Sequence, residues 1–211
     1  MARTSAGHET RERLLRAAEE LFATRGVEAA LTRDITRLAG QSNPSAVQYH
    51  FGSREGLLDA IMAGRQERAE QALAPRLPAL ADADLTGLLG ALVAAEATEL
   101  RTERGRHCLR ISAQVSRSSG VRTRTPHPTL AGGGYWRLIG LVEERVRTLP
   151  EPVRLERIDL TLTLVGAALA DRARQYAAGA TPLTDEETFL ADLVTVSVAM
   201  LSAPTPRRST T

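Results

Sequence analysis

The chain has no lysine: all 27 of its cationic side chains are arginine. The simplest reading is codon bias in its source, and selection for bidentate phosphate contacts comes second. There is one cysteine, Cys108, which excludes an internal disulfide and fits a reducing, cytoplasmic setting. Aromatic residues are only 3% of the sequence. A small-molecule partner held in an aromatic cage is therefore less expected than one held by aliphatic or mixed contacts. No stretch supplies the roughly 20 nearly uncharged residues that a membrane-spanning helix needs. The most apolar segments are broken by Asp159, Asp171 and Arg172. Met1 to Thr10 is polar and lacks the apolar core of a secretory leader. The net charge of +2 is too small to imply a polyanion partner by itself, so a local patch would have to supply the field. There is no nucleophile elbow, no phosphate-binding glycine loop and no paired metal motif. No enzyme activity, cofactor or metal is expected. His107 and Cys108 are adjacent and project in different directions from a helix, whereas metal sites want spaced ligands.

What is present is helical period. The apolar fraction, 43%, is ample for a packed core. From Thr10 to Arg25, Leu14, Leu15, Ala18, Leu21 and Phe22 define one face, with Thr10 as the cap and Gly26 just past the end. Thr32 to Ala39 follows, with Ile35, Leu38 and Ala39 inward. Asn43 and Pro44 suit the start of a short helix, about Pro44 to His50. Ser53 caps the next helix, running to about Leu73. Ala74 to Asp84, with Pro75 and Pro78, reads as a boundary. Longer helices follow over Leu85–Leu100, Gly105–Ser116, Tyr135–Thr148, Pro152–Ala178 and Thr184–Ser202, the last opened by a Thr184–Glu187 capping box. The segment Ser118–Gly134 reads as a long loop, and 204–211 as a disordered tail. The fold class expected is all-α. An N-terminal three-helix helix-turn-helix domain over 8–68 precedes a larger helical domain over 69–203.

Helix, turn and short helix within the first 60 or so residues is the arrangement that places one helix in the major groove of DNA. The same geometry also occurs as ordinary packing. Here the short helix exposes small and polar residues plus tyrosine, and buries too little to exist for stability alone. Val47 and Phe51 are expected inward, with Ser45, Ala46, Gln48 and Tyr49 outward. Gln48 can pair with adenine, Ser45 can bond either base class, and Ala46 can touch a thymine methyl. Tyr49 and His50 can donate to phosphates, and Asn43 caps the helix. Thr32 and Arg33 stand on the first turn of the preceding helix. Arg54, with the free N–H groups after Ser53, would form an anion site. Arg11, Arg13 and Arg16 can touch phosphate, but a charge run of this kind is more usually a solvated face.

The run Arg11-Glu12-Arg13-Leu14-Leu15-Arg16-Ala17-Ala18-Glu19-Glu20-Leu21-Phe22, the segment Thr32-Arg33-Asp34-Ile35 and the run Tyr49-His50-Phe51-Gly52-Ser53-Arg54-Glu55-Gly56-Leu57-Leu58 together resemble the TetR family of regulators. Gln48 stands where that family commonly has an aromatic. The resemblance implies a three-helix DNA-binding domain joined through a fourth helix to a helical domain that binds a small molecule and dimerises through its last two long helices. The helices at 152–178 and 184–202 are apolar around most of their girth and need cover on two sides, which a two-fold bundle supplies. The function expected is a sequence-specific repressor, a homodimer on a double-stranded DNA operator, released by an unidentified small-molecule effector. The alternative is a helical small-molecule-binding module without operator function. Gln114, Tyr135 and Trp136 are candidate lining for the effector pocket.

Overall fold

The computed structural model describes residues 2–115, 120–126 and 131–205, with side chains from Gly7 onward. Parts of the expected long loop, 118–119 and 127–130, and most of the expected tail, 206–211, lie outside the described residues. Among the described residues every regular element is a helix: α1 Ala2–Arg25, α2 Thr32–Leu38, α3 Ala46–Phe51, α4 Arg54–Leu73, α5 Leu77–Leu80, α6 Leu85–Ala97, α7 Glu103–Val115, α8 Gly134–Arg145, α9 Glu151–Ala177 and α10 Glu186–Ser202. A 3₁₀ turn, Thr98–Arg101, separates α6 from α7. No helix among the described residues is long and apolar enough to cross a membrane.

Several helix starts differ from expectation, and at α1 and α10 the difference changes the cap. The first helix begins at Ala2, so Thr10 lies inside it and its hydroxyl accepts from Arg13 Nη2 at 3.4 Å instead of capping. At α10 the cap is Asp185, not Thr184: its carboxylate accepts from the Thr188 N–H at 2.7 Å. A carboxylate at the helix N-terminus also meets the positive end of the dipole with a full charge, which a hydroxyl lacks.

The chain divides into two compact units. The first comprises Met1–Glu67, Glu99–Val115 and Ala170–Ala180. Its core is built on Leu14, Ala18, Leu21 and Phe22 of α1, Ile35, Val47, Leu57 and Ile61 from the next three helices, and Cys108 and Ile111 of α7. Cys108 is fully buried there, as a small apolar residue. Polar ties fix α7 to α1. Arg104 Nε lies 2.8 Å from the buried Glu19 carboxylate. Gln114 Oε1 accepts from the Val27 N–H at 2.9 Å, while its Nε2 donates to the Phe22 carbonyl at 3.3 Å. Gln114 thus takes up the Val27 N–H just past the end of α1 and shares the Phe22 carbonyl with the Gly26 N–H.

The second unit comprises Arg68–Thr98, Ser116–Leu169 and Thr181–Thr211. Its core gathers Leu88, Leu89 and Leu92 of α6, Leu138, Ile139 and Val142 of α8, Ile158 of α9 and Leu201 of α10. The glycine run before α8 has a definite use. The Glu70 carboxylate accepts from the Gly134 N–H at 2.8 Å and the Tyr135 N–H at 3.0 Å, capping α8 from α4. A Cβ at Gly133 would strike that carboxylate, and one at Gly134 would lie 2.5 Å from Leu77 Cδ1.

Candidate nucleic-acid interface

On α2 the buried side is Ile35, Thr36 and Ala39, with Thr36 4% exposed. The Thr36 hydroxyl donates within its own helix, 3.0 Å from the Arg33 carbonyl and 3.2 Å from that of Thr32. A polar residue satisfied inside its own helix can take a core position. Leu38, expected inward, is 47% exposed. Arg33 is exposed and Thr32 half-buried at the first turn. Arg25 and Arg37 are not available in the same way, because both pair with Asp34, at 3.2 and 2.7 Å.

The turn between α2 and α3 starts at Gly40, whose φ of +66° is the left-handed conformation that glycine adopts most easily. The third helix starts at Ala46, two residues later than expected. Asn43 Oδ1 accepts from the Ser45 N–H at 2.9 Å, and the Ala46 N–H reaches the Asn43 carbonyl at 3.1 Å. Asn43 therefore closes a local turn that contains Pro44, rather than capping a helix that begins there.

The helix has 6 residues. At about 100° per residue, Ala46, Val47, His50 and Phe51 fall on one side and Ser45, Gln48 and Tyr49 on the other. Val47 is 2% exposed and Ala46 5%, so Ala46 belongs to the core and not to the outward face. Ser45, Asn43 and Gln48 are exposed, His50 is half-buried, and Tyr49 is 83% exposed. The Tyr49 and His50 rings meet edge to face at 4.9 Å.

Arg54 does not face outward as an anion ligand. Its Nε donates to the Ala30 carbonyl at 3.3 Å and its Nη2 to the Val27 carbonyl, and the guanidinium lies 5.2 Å from the centre of the Phe22 ring. Nor is the start of α4 an open anion site. The Ser53 hydroxyl accepts from the Gly56 N–H at 2.9 Å. Glu55 already puts a carboxylate in the first turn; its backbone N–H, then the Ser53 hydroxyl, hold that carboxyl below the usual range. A group satisfied by its own helix has no donor to offer a phosphate.

The second unit holds an apolar cleft lined by Leu89, Leu92, Leu138, Ile139, Val142, Ile158, Thr161, Leu162 and Leu201. Its walls nearly close on one another, leaving a cavity of about 10 Å³, room for about one water molecule. The Thr161 hydroxyl donates to the Arg157 carbonyl at 2.8 Å. None of Gln114, Tyr135 and Trp136 lines this cleft. Gln114 is spent on the end of α1, while Tyr135 and Trp136 pack half-buried against the second core. The helix carrying Tyr135 and Trp136 does border the cleft, through Leu138, Ile139 and Val142. The pair Asp171 and Arg172 divides: Asp171 bonds Arg174 at 2.5 Å and Gln175 at 2.9 Å, while Arg172 is buried and lies 5.9 Å from the Tyr176 ring centre.

A family model described as bacterial regulatory proteins, tetR family, matches residues 14–61. The helix-turn-helix-type transcriptional regulator SrpR of Pseudomonas putida is 39% identical over 79 residues, covering 36% of this chain and 37% of SrpR. TtgW, also of Pseudomonas putida and described as an uncharacterized regulator of the same type, is 39% identical over 79 residues, covering 36% of this chain and 58% of TtgW. The match therefore spans 37% of SrpR and 58% of TtgW, less than two thirds of either. Among solved structures, NalD, the secondary repressor of the MexAB-OprM multidrug efflux pump in Pseudomonas aeruginosa, shares the fold. Its TM-score is 0.54 at 19% identity, over 93% of this chain and 97% of NalD.

Proposed function

We propose that this chain, whose residues 14–61 match the family model of tetR bacterial regulatory proteins, is a sequence-specific DNA-binding transcription regulator of that family, a repressor working as a homodimer. Residues 8–68 carry the DNA-binding helices, in a unit completed by 99–115 and 170–180, and the rest of 69–203 serves effector binding and dimerisation. The observation that carries the reading is α3, a six-residue helix that buries Ala46 and Val47 while presenting Gln48 and an 83% exposed Tyr49. Gln48 reads a base edge; Tyr49, His50 and Arg33 engage the backbone, with Ser45, Asn43 and Thr32 at the rim. SrpR and TtgW, the two curated relatives, are both described as transcriptional regulators of the helix-turn-helix type.

Gln48→Ala is expected to relax the choice of base at one position per half-site. The discrimination lost is about 1–3 kcal/mol, roughly 5- to 150-fold in relative affinity. Gel shifts across operator variants check this. A uniform loss on all variants would remove Gln48 from base reading. Absence of any salt-dependent binding to the upstream region of its own gene would leave the helical ligand-binding module instead.

The dimer reading rests on α9 and α10. Leu160 is 47% exposed and Val196 45% exposed in the single chain, while Leu164 and Val198 are half-buried. Apolar side chains exposed on two long neighbouring helices fit a two-fold four-helix seam. Leu160→Glu with Val196→Glu is expected to turn a dimer into a monomer at micromolar concentration, read by sedimentation. An unchanged sedimentation coefficient would place the seam elsewhere. For the effector, the cleft's aliphatic lining fits a small uncharged apolar molecule. Its binding would shift the spacing of the two reading heads by as much as it prefers one conformation over another.

A further inference from the structure

Among the arginines near the start of α1, one differs from the rest. The Arg11 guanidinium carbon sits 5.0 Å from the centre of the Phe51 ring. Phe51 is the last residue of α3 and is itself packed on the first core. Arg11 is half-buried, and among the described residues its guanidinium has no hydrogen bond and no ion pair. All five of its N–H donors are therefore open. The Phe51 ring fixes the long side chain where α3 ends, because a cation is attracted to the face of an aromatic ring. His50 lies 6.3 Å from Phe51, ring centre to ring centre, and Tyr49 lies 4.9 Å from His50. Arg11, Phe51, His50 and Tyr49 thus make successive contacts, from α1 to the 83% exposed Tyr49 of the reading helix.

We propose that Arg11 is a phosphate-contact residue, held by Phe51 beside α3 to grip the DNA backbone that borders the groove. The proposal rests on the DNA-binding reading. A stacked guanidinium loses little freedom when a phosphate arrives, and its planar fork suits two phosphate oxygens. Arg13 and Arg16 carry the same charge on the same helix, but at about 200° and 140° around its axis from Arg11. Both are exposed, and Arg13 bonds to Thr10 of its own helix. They are the matched controls: each removes one charge without touching those contacts.

The test uses the full chain and two labelled duplexes, the upstream region of its own gene and an unrelated sequence. Anisotropy titrations run from about 50 to 200 mM salt. Arg11→Gln is expected to weaken binding to both duplexes alike, by about 5- to 10-fold, and to reduce the slope of log affinity against log salt by about 0.9. Arg11→Lys should keep the slope. Arg13→Gln and Arg16→Gln should leave the slope at the wild-type value. The slope does not depend on what fraction of the protein is folded, so a less stable variant still gives a reading. A wild-type slope in Arg11→Gln, or an equal drop in Arg13→Gln, overturns the proposal while leaving the regulator reading intact. No salt-dependent binding by the wild-type chain would instead defeat the regulator reading on which the proposal stands.

Discussion

Gly56→Ala is expected to destabilise the first unit by about 2 kcal/mol and to reduce DNA binding more than tenfold. A Cβ at this position would run into the carbonyl oxygen of Phe51, with the carbonyl carbon at 3.3 Å. The obstacle is backbone at the end of α3, so no rotamer change relieves it. Overpacking of this kind costs about 1–3 kcal/mol, and a rigid obstacle belongs at or above the top of that range. Alanine's better helix propensity returns up to about 1 kcal/mol, which does not reverse the sign. Relief requires α3 to shift against α4, and the reading helix then loses its orientation. Gly140 in α8 is the control, since a Cβ there meets nothing within 4 Å. Gly140→Ala should raise stability by about 0.5–1 kcal/mol. Thermal melts and anisotropy on both variants decide the matter. Equal or higher stability in Gly56→Ala, with wild-type DNA affinity, would refute the steric argument.

The longer helices are legible in the sequence because each carries enough turns for its apolar period to define a face. The short ones are not, and the reasons are local. On α2, period alone puts Leu38 inside, next to Ile35 and Ala39. The single O–H of Thr36, shared between two carbonyls of its own helix, lets threonine occupy that side instead, which turns Leu38 out. On α3, one side-chain bond decides the start. Asn43 is a good cap in composition, but its carboxamide oxygen meets the Ser45 N–H, and the helix begins only after the resulting turn. A start two residues late rotates the assignment, and Ala46 moves from the outward face to the core.

The site divides along the same line. Residues whose placement follows from helical geometry, Gln48 and Tyr49, are legible from the sequence as exposed positions. Residues whose placement depends on a distant partner are not. Gln114 meets Val27 across 87 positions of sequence, and Arg54 meets Val27 across 27. No spacing rule reaches that far. The pairing of Arg11 with Phe51 is of this kind too. Seen only as one of several arginines on a helix face, Arg11 has nothing to set it apart until the ring of α3 comes to rest beneath it.

Arg54→Ala is expected to cost about 2–4 kcal/mol of stability while leaving the salt slope of DNA binding unchanged. Two carbonyls, Val27 and Ala30, accept from the guanidinium in the connection between α1 and α2, and the Phe22 ring supports it from below. Hydrogen bonds to a charged donor contribute about 1.5–3 kcal/mol each in favourable cases, and stranding part-buried carbonyls adds to the loss. Partial exposure keeps the total in the lower part of the sum. The contrast with a phosphate ligand is sharp. A ligand to phosphate would lower the salt slope by about 0.9 when removed and would be rescued by lysine. A brace between two carbonyls needs the fork of the guanidinium, so Arg54→Lys should recover little stability. Urea denaturation with both variants, paired with anisotropy at several salt concentrations, separates the two roles. A stable Arg54→Ala protein with a reduced slope would return Arg54 to the DNA surface, and with it the anion site at the start of α4.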